Sequence, residues 1–213
     1  EVQNIPALLT GLEIYQEDGR EILIIDDGSN DGSQSLLKKC SFIRLIRLNQ
    51  NLGKGIAVRE GILNIKNKKI IIFDGDMEIC PKEVRKLMIL EKNEKNIQCV
   101  FGSRYKTITP LSSLWNFGNF FFTRLFNFIN RSQHSDALCG AKAFYKRDIK
   151  LNQLSANGFD IDVELGMVLT KSVTEIHTVY LSYNRRSKEE GKKLRFWDGL
   201  IILKRILKPN LFL

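Results

Sequence analysis

EILIIDDGSNDGS at residues 21–33 and IIIFDGDMEICP at residues 70–81 are each a short apolar run closed abruptly by paired acids. Runs of Ile and Leu of this length, bounded by Asp and Gly, read as buried parallel strands. The acids then fall at the C-terminal edges of those strands, where open α/β sheets bind their ligands. Asp26 and Asp27 close the first run; Asp74, Asp76 and Glu78 follow the second. Neighbouring carboxylates repel, so two acidic edges in one chain call for a cation between them. A divalent metal carrying a phosphorylated ligand is the simplest candidate. For Asp26 and Asp27 turn formation is the competing reading, because Asp-Gly-Ser is good turn chemistry.

Outward from these runs, helix and strand signals alternate. Apolar positions recur at helical spacing over residues 3–16, residues 21–26 form a strand, 33–39 a short helix and 43–48 a strand. NLGKG at 51–55 is a Gly-rich turn leading into a helix over 56–66, followed by the strand 70–74. Pro81 opens a helix reaching about residue 92, and 98–102 is a further strand ending in GSRY. This order predicts an α/β fold with a doubly wound, mainly parallel sheet. Without repeats, low-complexity segments or a linker, residues 1–213 read as a single domain.

The chain has 213 residues, of which 43% are hydrophobic, enough for a substantial core. Its formal net charge of +9 admits nucleic acid, an anionic membrane surface or phosphorylated substrates as partners. No interleaving of aromatic and basic residues marks a nucleic-acid motif, so no nucleic acid is expected. A non-catalytic basic domain that docks on membrane or nucleic acid is the alternative of another class. The clustered acids weigh against it, since a docking module has no use for them. Cys40, Cys80, Cys99 and Cys139 lack CxxC spacing and read as reduced thiols of a cytoplasmic protein. No apolar run is long enough to span a bilayer. The sequence opens at Glu1 with neither Met nor signal peptide, which reads as a fragment or a processed form.

LWNFGNFFFTRLFNFIN at residues 114–130 carries Phe on nearly every side and a single charge. It is either a core helix or a helix lying in a membrane interface, and the excess of Phe over one core-facing stripe favours the interface. In that reading Phe121, Phe122 and Phe126 meet lipid. RFWDGLIILKRILK at 195–208 mixes an apolar stripe with Arg195, Lys204, Arg205 and Lys208, which suits an anionic bilayer surface.

Seven motifs in order resemble one family. NIPALL near Glu1, IIDDGSNDGS, NLGKGIAVREGI, FDGDMEICP, GSRY, DALCGAKAF, and FDIDVEL with LSYNRRSKEEGKKL look like the family 2 inverting glycosyltransferases that use dolichyl or polyprenyl phosphate. The resemblance covers nearly the whole chain. It implies a nucleotide-diphospho-sugar transferase fold of GT-A type whose first, central strand lies before Glu1. It also implies a nucleotide-sugar-binding half over 1–105 and an acceptor-facing, membrane-facing half over 106–213.

By that resemblance the donor is a GDP- or UDP-linked sugar held by Glu1, Ile25, Asp27, Asp74, Gly75, Asp76, Arg104, Arg186 and Lys193. Asp74, Asp76 and Glu78 would hold Mg²⁺ or Mn²⁺, which bridges the diphosphate and stabilises charge on the leaving nucleotide. Asp76, Arg104 and Arg186 would carry catalysis. The acceptor would be a lipid phosphate at the cytoplasmic face of a membrane, where the protein is peripheral. Its oxygen is already anionic, so no strong general base is needed, and cations must position the two phosphates. Arg suits this through its planar fork, though Arg185 and Lys192 stand as close to the motif as Arg186 and Lys193. Asp136, Asp162 and Glu164 are acceptor-side candidates; Asp162 and Glu164 could equally cap and brace a helix. If the acceptor were instead a glycan hydroxyl, Asp162 would be the base. His134 and His177 show no ligand spacing and read as structural, and Trp115 and Trp197 as interface or core anchors.

Overall fold

The structure, a computed structural model, describes residues 2–91, 97–107, 109–186 and 196–208. Helices α1 (Ile5–Glu17), α2 (Ser33–Lys38), α3 (Lys54–Asn64), α4 (Val84–Leu87), α5 (Leu114–Asn130), α6 (Ile161–Ser172) and α7 (Phe196–Leu207) surround six strands. These are β1 (Ile22–Asp26), β2 (Ile43–Arg47), β3 (Lys69–Ile72), β4 (Cys99–Ser103), β5 (Lys142–Tyr145) and β6 (Ile176–Tyr180). The alternation expected from the apolar runs is present through β4.

The strands form two groups. β1 and β2 pair in parallel, with Ile22 opposite Ile43 and Asp26 opposite Arg47. The other four run in the order β3-β5-β4-β6. β4 and β6 are parallel, while β5 lies antiparallel to both β3 and β4. Among the described residues no strand joins β1 to β3, and residues of both strands line one cavity of about 1840 Å³. That gap is where the resemblance puts the expected central strand.

Side-chain alternation divides the core. Cys99 and Phe101 of β4 join Phe144 of β5 on the face covered by Ile62 of α3 and by Ile161, Leu165 and Leu169 of α6. Val100 and Ala143 point the other way, to Leu87 and Leu90, as the two-residue period of a strand requires. β1 and β2 bury their aliphatic residues against Ile5 and Leu8 of α1 and Leu37 of α2. Phe126 of α5, Val163 and Met167 of α6, and Ile202 and Ile206 of α7 form a separate three-helix cluster.

Two expectations change. The helix expected from Pro81 to about residue 92 is broken into a 3₁₀ turn over Pro81–Glu83, the short α4 and a second 3₁₀ turn over Met88–Glu91. The strand expected over 70–74 is also shifted, spanning Lys69–Ile72. The strand stops at Ile72, and Met77 takes a φ of +64°, a left-handed conformation that folds Asp74–Glu78 into a tight loop.

Candidate functional site

The Gly-rich turn is built to receive the first acidic loop. Gly53 has φ +99°, and a Cβ there would lie 2.3 Å from the Asn157 carbonyl oxygen, so only glycine fits. The Asp27 carboxylate accepts the backbone N–H groups of Leu52 at 2.8 Å and Gly53 at 2.9 Å. Asp26 accepts the Ser29 N–H at 2.9 Å through Oδ1. Both acids therefore brace turns, the competing reading of the DDGS motif, and Asp27 still lines the large cavity beside Ile25.

Lys54 opens α3 directly after this turn. Its ammonium donates to Asp74 Oδ2 and to Asp162 Oδ2, each at 2.8 Å. Burial alone would weaken that ammonium's hold on its proton, but Asp162 and then Asp74 outweigh it and raise the Lys54 pKa. Asp162 sits in the first turn of α6, buried; burial and the nearby Asp74 push its carboxyl above the ordinary value. Lys54 was not among the expected site residues. Its partners lie 20 and 108 positions away, so only the fold brings the three together.

In the acidic loop Asp74 is partly open to the cavity, with 41% of its side chain exposed. Gly75 supports the loop against Leu8 of α1. Asp76 Oδ2 accepts from Arg186 Nη2 at 3.2 Å, and Oδ1 accepts the Glu78 N–H at 3.0 Å. Burial, followed by the like charge of Asp74, raises the Asp76 carboxyl. Glu78 spends its oxygens elsewhere: Oε2 accepts from the Tyr183 hydroxyl and Oε1 from the Arg186 backbone N–H, both at 3.1 Å. Among the described residues no three His, Cys, Asp or Glu side chains converge as a ready-made metal cage. Two hard carboxylate oxygen donors, Asp74 and Asp76, close enough to repel and open to a cavity, do fit an Mg²⁺ or Mn²⁺ ion that keeps water or phosphate oxygens as its remaining ligands.

The structure separates the two arginines that the sequence left equivalent. Arg186 turns to Asp76. Arg185 turns to Tyr105 Oη at 3.0 Å and to Asn116 Oδ1 at 2.8 Å, tying the closing segment to the start of α5. Arg104 lies in the cavity wall but gives Nε and Nη2 to Asp136 at 2.7 and 2.8 Å. Its guanidinium carbon is 5.5 Å from the Tyr183 ring centroid, a cation–π contact. Asp136 is fully buried in this pair, which makes it the partner that holds Arg104. Glu164 likewise faces inward, accepting from Ser155 and Ala156 backbone N–H groups and from Arg205 Nη1 at 2.6 Å. That is the bracing alternative for Glu164. Arg205 also pairs with Asp160, so of the basic residues expected to meet headgroups it is committed to the fold, while Lys204 and Lys208 are exposed. Glu1, Lys192, Lys193 and Arg195 lie outside the described residues.

The cavity has a second wall. Trp115 and Asn119 of α5 and Asp198 and Ile202 of α7 line it together with the acidic loop. α5 and α7 bury Phe126, Ile202 and Ile206 against each other, and turn outward Leu114, Phe117, Phe121 and Phe128 from α5 and Trp197, Leu200 and Ile201 from α7. Phe126 is fully buried and Phe122 packs beside it, so of the three Phe expected at lipid only Phe121 is exposed, at 46%. No described helix is long and apolar enough to cross a membrane. His134 stacks on Phe101 at 4.6 Å and bonds Thr170, a structural residue whose pKa burial lowers to about 4.

Comparison with known proteins identifies the family and the fold. The chain is 28% identical over 195 residues to glycosyltransferase AglJ of Haloferax volcanii, covering 88% of this chain and 62% of that protein. It is 30% identical over 202 residues to a dolichyl-phosphate beta-glucosyltransferase of Saccharomyces cerevisiae, covering 82% of this chain and 59% of the relative. A dolichol-phosphate mannosyltransferase of Mycosarcoma maydis is 25% identical, with 86% and 63% covered. The chain thus spans about three fifths of the length of these relatives. Among solved structures, glucosyl-3-phosphoglycerate synthase of Mycobacterium tuberculosis, in complex with Mn²⁺, UDP and glucosyl-3-phosphoglycerate, superposes with a TM-score of 0.70. That match has 16% identity and covers 98% of this chain and 75% of the other, a likeness of fold. The profile of glycosyl transferase family 2 matches residues 1–150, and the chain belongs to that family.

Proposed function

We propose that this chain is the catalytic domain of a metal-dependent inverting transferase that moves a sugar from a nucleotide-sugar donor to a polyprenyl phosphate at a membrane surface. One observation carries the reading: the acidic loop with Asp74 and Asp76 and the inner side of an outward-facing aromatic helix pair wall the same cavity. A lipid acceptor needs that juxtaposition, because its phosphate must leave the bilayer interface at the point where the donor's diphosphate is held. The names of the dolichyl-phosphate relatives, and the Mn²⁺ and UDP of the structural neighbour, support it.

In this reading the nucleotide half spans residues 1–105. Ile25, Asp27 and Gly75 face the nucleotide, and Asp74 and Asp76 would hold Mg²⁺ or Mn²⁺. The ion supplies charge stabilisation for the departing diphosphate. Arg186, paired with Asp76, is a cation that this loop would offer to a donor phosphate. Arg104 is oriented by Asp136. Glu78 secures the loop through Tyr183 and the Arg186 backbone. Residues 106–213 present the acceptor side, with Asp162 innermost. An aromatic face with Lys204 and Lys208 at its end suits peripheral attachment to an anionic leaflet.

The test is transfer from UDP- and GDP-linked sugars to a short polyprenyl phosphate in detergent, with Mn²⁺, Mg²⁺ or excess EDTA. Metal-dependent formation of a polyprenyl-phosphate sugar is expected; full activity in EDTA overturns the metal, and no product with any donor overturns the acceptor class. A second reading rests on Asp162, a cavity-lining carboxylate whose raised pKa suits a general base for a glycan hydroxyl. Asp162→Asn separates the two: a hydroxyl acceptor requires this carboxylate, whereas an ionised phosphate does not.

A further inference from the structure

Lys54 stands between two carboxylates that belong to opposite halves of the site. Asp74 comes from the loop after β3, Asp162 from the first turn of α6, and the ammonium reaches both at 2.8 Å. The three groups are packed tightly under backbone. A Cβ on Gly140 would lie 2.7 Å from Asp74 Oδ2, 2.8 Å from Lys54 Nζ and 3.2 Å from Asp162 Oδ1, so a glycine is needed there to leave the cluster room. The Lys54 side chain is only 17% exposed, and the neighbouring Asp76 is already matched by Arg186. Asp74 and Asp76, the two carboxylates offered to a divalent ion, are therefore each already held by a cation of the chain itself.

We propose that Lys54 is a positioning residue that acts as a built-in competitor for the divalent ion at Asp74. While Lys54 bridges Asp74 and Asp162, the ion meets a carboxylate already occupied by an ammonium, and it binds weakly by itself. When the ion arrives with a nucleoside diphosphate, the phosphate oxygens complete its coordination and add negative charge. Asp74 then exchanges the ammonium for the ion, and Lys54 stays on Asp162. Metal and donor thus enter as a unit, and Asp162 keeps its counter-charge after the exchange. The inference rests on the reading of Asp74 and Asp76 as metal ligands, and it assigns to this chain a residue that enforces the joint binding.

Mn²⁺ binding, followed by the loss of the free-ion electron paramagnetic resonance signal, tests this without turnover. Wild-type protein should bind Mn²⁺ weakly alone and more tightly with UDP or GDP. Lys54→Met, and Lys54→Gln as a second variant that keeps an N–H donor for Asp162, should bind Mn²⁺ without nucleotide at least about tenfold more tightly, because a nearby unit charge is removed. With Mn²⁺ affinity in the presence of nucleotide unchanged, because Asp74 has then left Lys54, the enhancement by nucleotide should shrink by the same factor, and by linkage so should the enhancement of nucleotide binding by Mn²⁺. Lys54→Arg, which keeps the charge, should behave like wild type. If nucleotide tightens wild-type Mn²⁺ binding but a folded Lys54→Met or Lys54→Gln binds the bare ion no more tightly than wild type, this inference falls and the metal reading stands. If wild type binds no Mn²⁺ with either nucleotide, the metal reading falls and takes this inference with it.

Discussion

Arg104 and Asp136 form a two-point ion pair, Nε to Oδ2 at 2.7 Å and Nη2 to Oδ1 at 2.8 Å, with the carboxylate completely shielded from solvent. The Arg104 backbone N–H adds a third bond at 3.1 Å. Such a pair fixes the guanidinium plane in the cavity wall and leaves little slack in the GSRY loop. Breaking it from the Asp136 side strands a buried charge. Asp136→Ala should therefore lower unfolding stability by about 3–5 kcal/mol, read from denaturant titrations.

The same pair sets a pH signature. Burial by itself would raise the Asp136 carboxyl, but the charge and hydrogen bonds of Arg104 outweigh it and hold it below the ordinary value. A carboxyl depressed in the fold contributes stability that is complete above its unfolded value, about 3.9, and lost as pH falls through the lower folded value. The stability difference between wild type and Asp136→Asn should thus be constant above about pH 5 and narrow below about pH 4. A difference that widens in acid would mean that Asp136 is not held ionised by Arg104.

Arg186 offers a sharper test of phosphate handling than Arg104, because its partner is the loop acid Asp76. Lys in its place keeps the charge and loses the planar fork. Arg186→Lys should cut transfer by about tenfold or more, since a charge-assisted hydrogen bond contributes about 1.5–3 kcal/mol. Steady-state kinetics against a polyprenyl phosphate, with melting curves alongside, would read it; an unchanged rate would move the phosphate contact to another cation.

The aromatic segment divides into two kinds of residue. Phe126→Ala should destabilise the fold by about 3–5 kcal/mol, as large-to-small changes in a core do, because it is wholly enclosed by α6 and α7. Phe117→Ser with Phe121→Ser should leave stability nearly unchanged and weaken sedimentation with anionic liposomes, because both side chains are about half exposed on the outward face of α5. Binding should also fall with salt through Lys204 and Lys208, each worth about 1 kcal/mol near an anionic surface. Indifference to liposomes would reduce this face to another kind of contact and favour a soluble glycan acceptor.

Local sequence makes the strands β1 to β3 legible, because Ile- and Leu-rich runs have few other homes, and β4 through a Cys-Val-Phe run closed by Gly and Ser. β5 was not legible: it is four residues long and begins with Lys142, whose buried ammonium bonds the Cys139 carbonyl and lies over the Phe101 ring. The helix after Pro81 was overestimated because its apolar residues suit a helix of any length, and tertiary packing onto β4 and β6 selects short 3₁₀ pieces instead. At the site, the motifs single out Asp74, Asp76 and Arg186, and the fold brings these three into one cluster. The division of labour between Arg185 and Arg186 was not legible, since adjacent residues share every local signal and differ only in which wall they face. Lys54 and Tyr183 were missed for the same physical reason. Each gains its role from a partner more than 100 positions away, Asp162 for one and Glu78 for the other.

The acidic loop after β3 offers a test that separates a role in the reaction from a role in bracing the fold. Asp76 is held at a cost: it is partly buried, it faces the like charge of Asp74, and its carboxyl is raised in consequence. An amide there keeps the Oδ1 acceptor for the Glu78 N–H and drops the repulsion, although it gives up the charged bond from Arg186. Asp76→Asn should therefore melt at or slightly above the wild-type temperature in metal-free buffer, while transfer falls on the order of 100-fold or more, the scale of losing one preorganised electrostatic group. Stability gained together with activity lost is what distinguishes a residue kept for the reaction from one kept for the fold. A clear fall in melting temperature would place Asp76 among the braces, with Glu78, and would leave Asp74 without a partner for the ion.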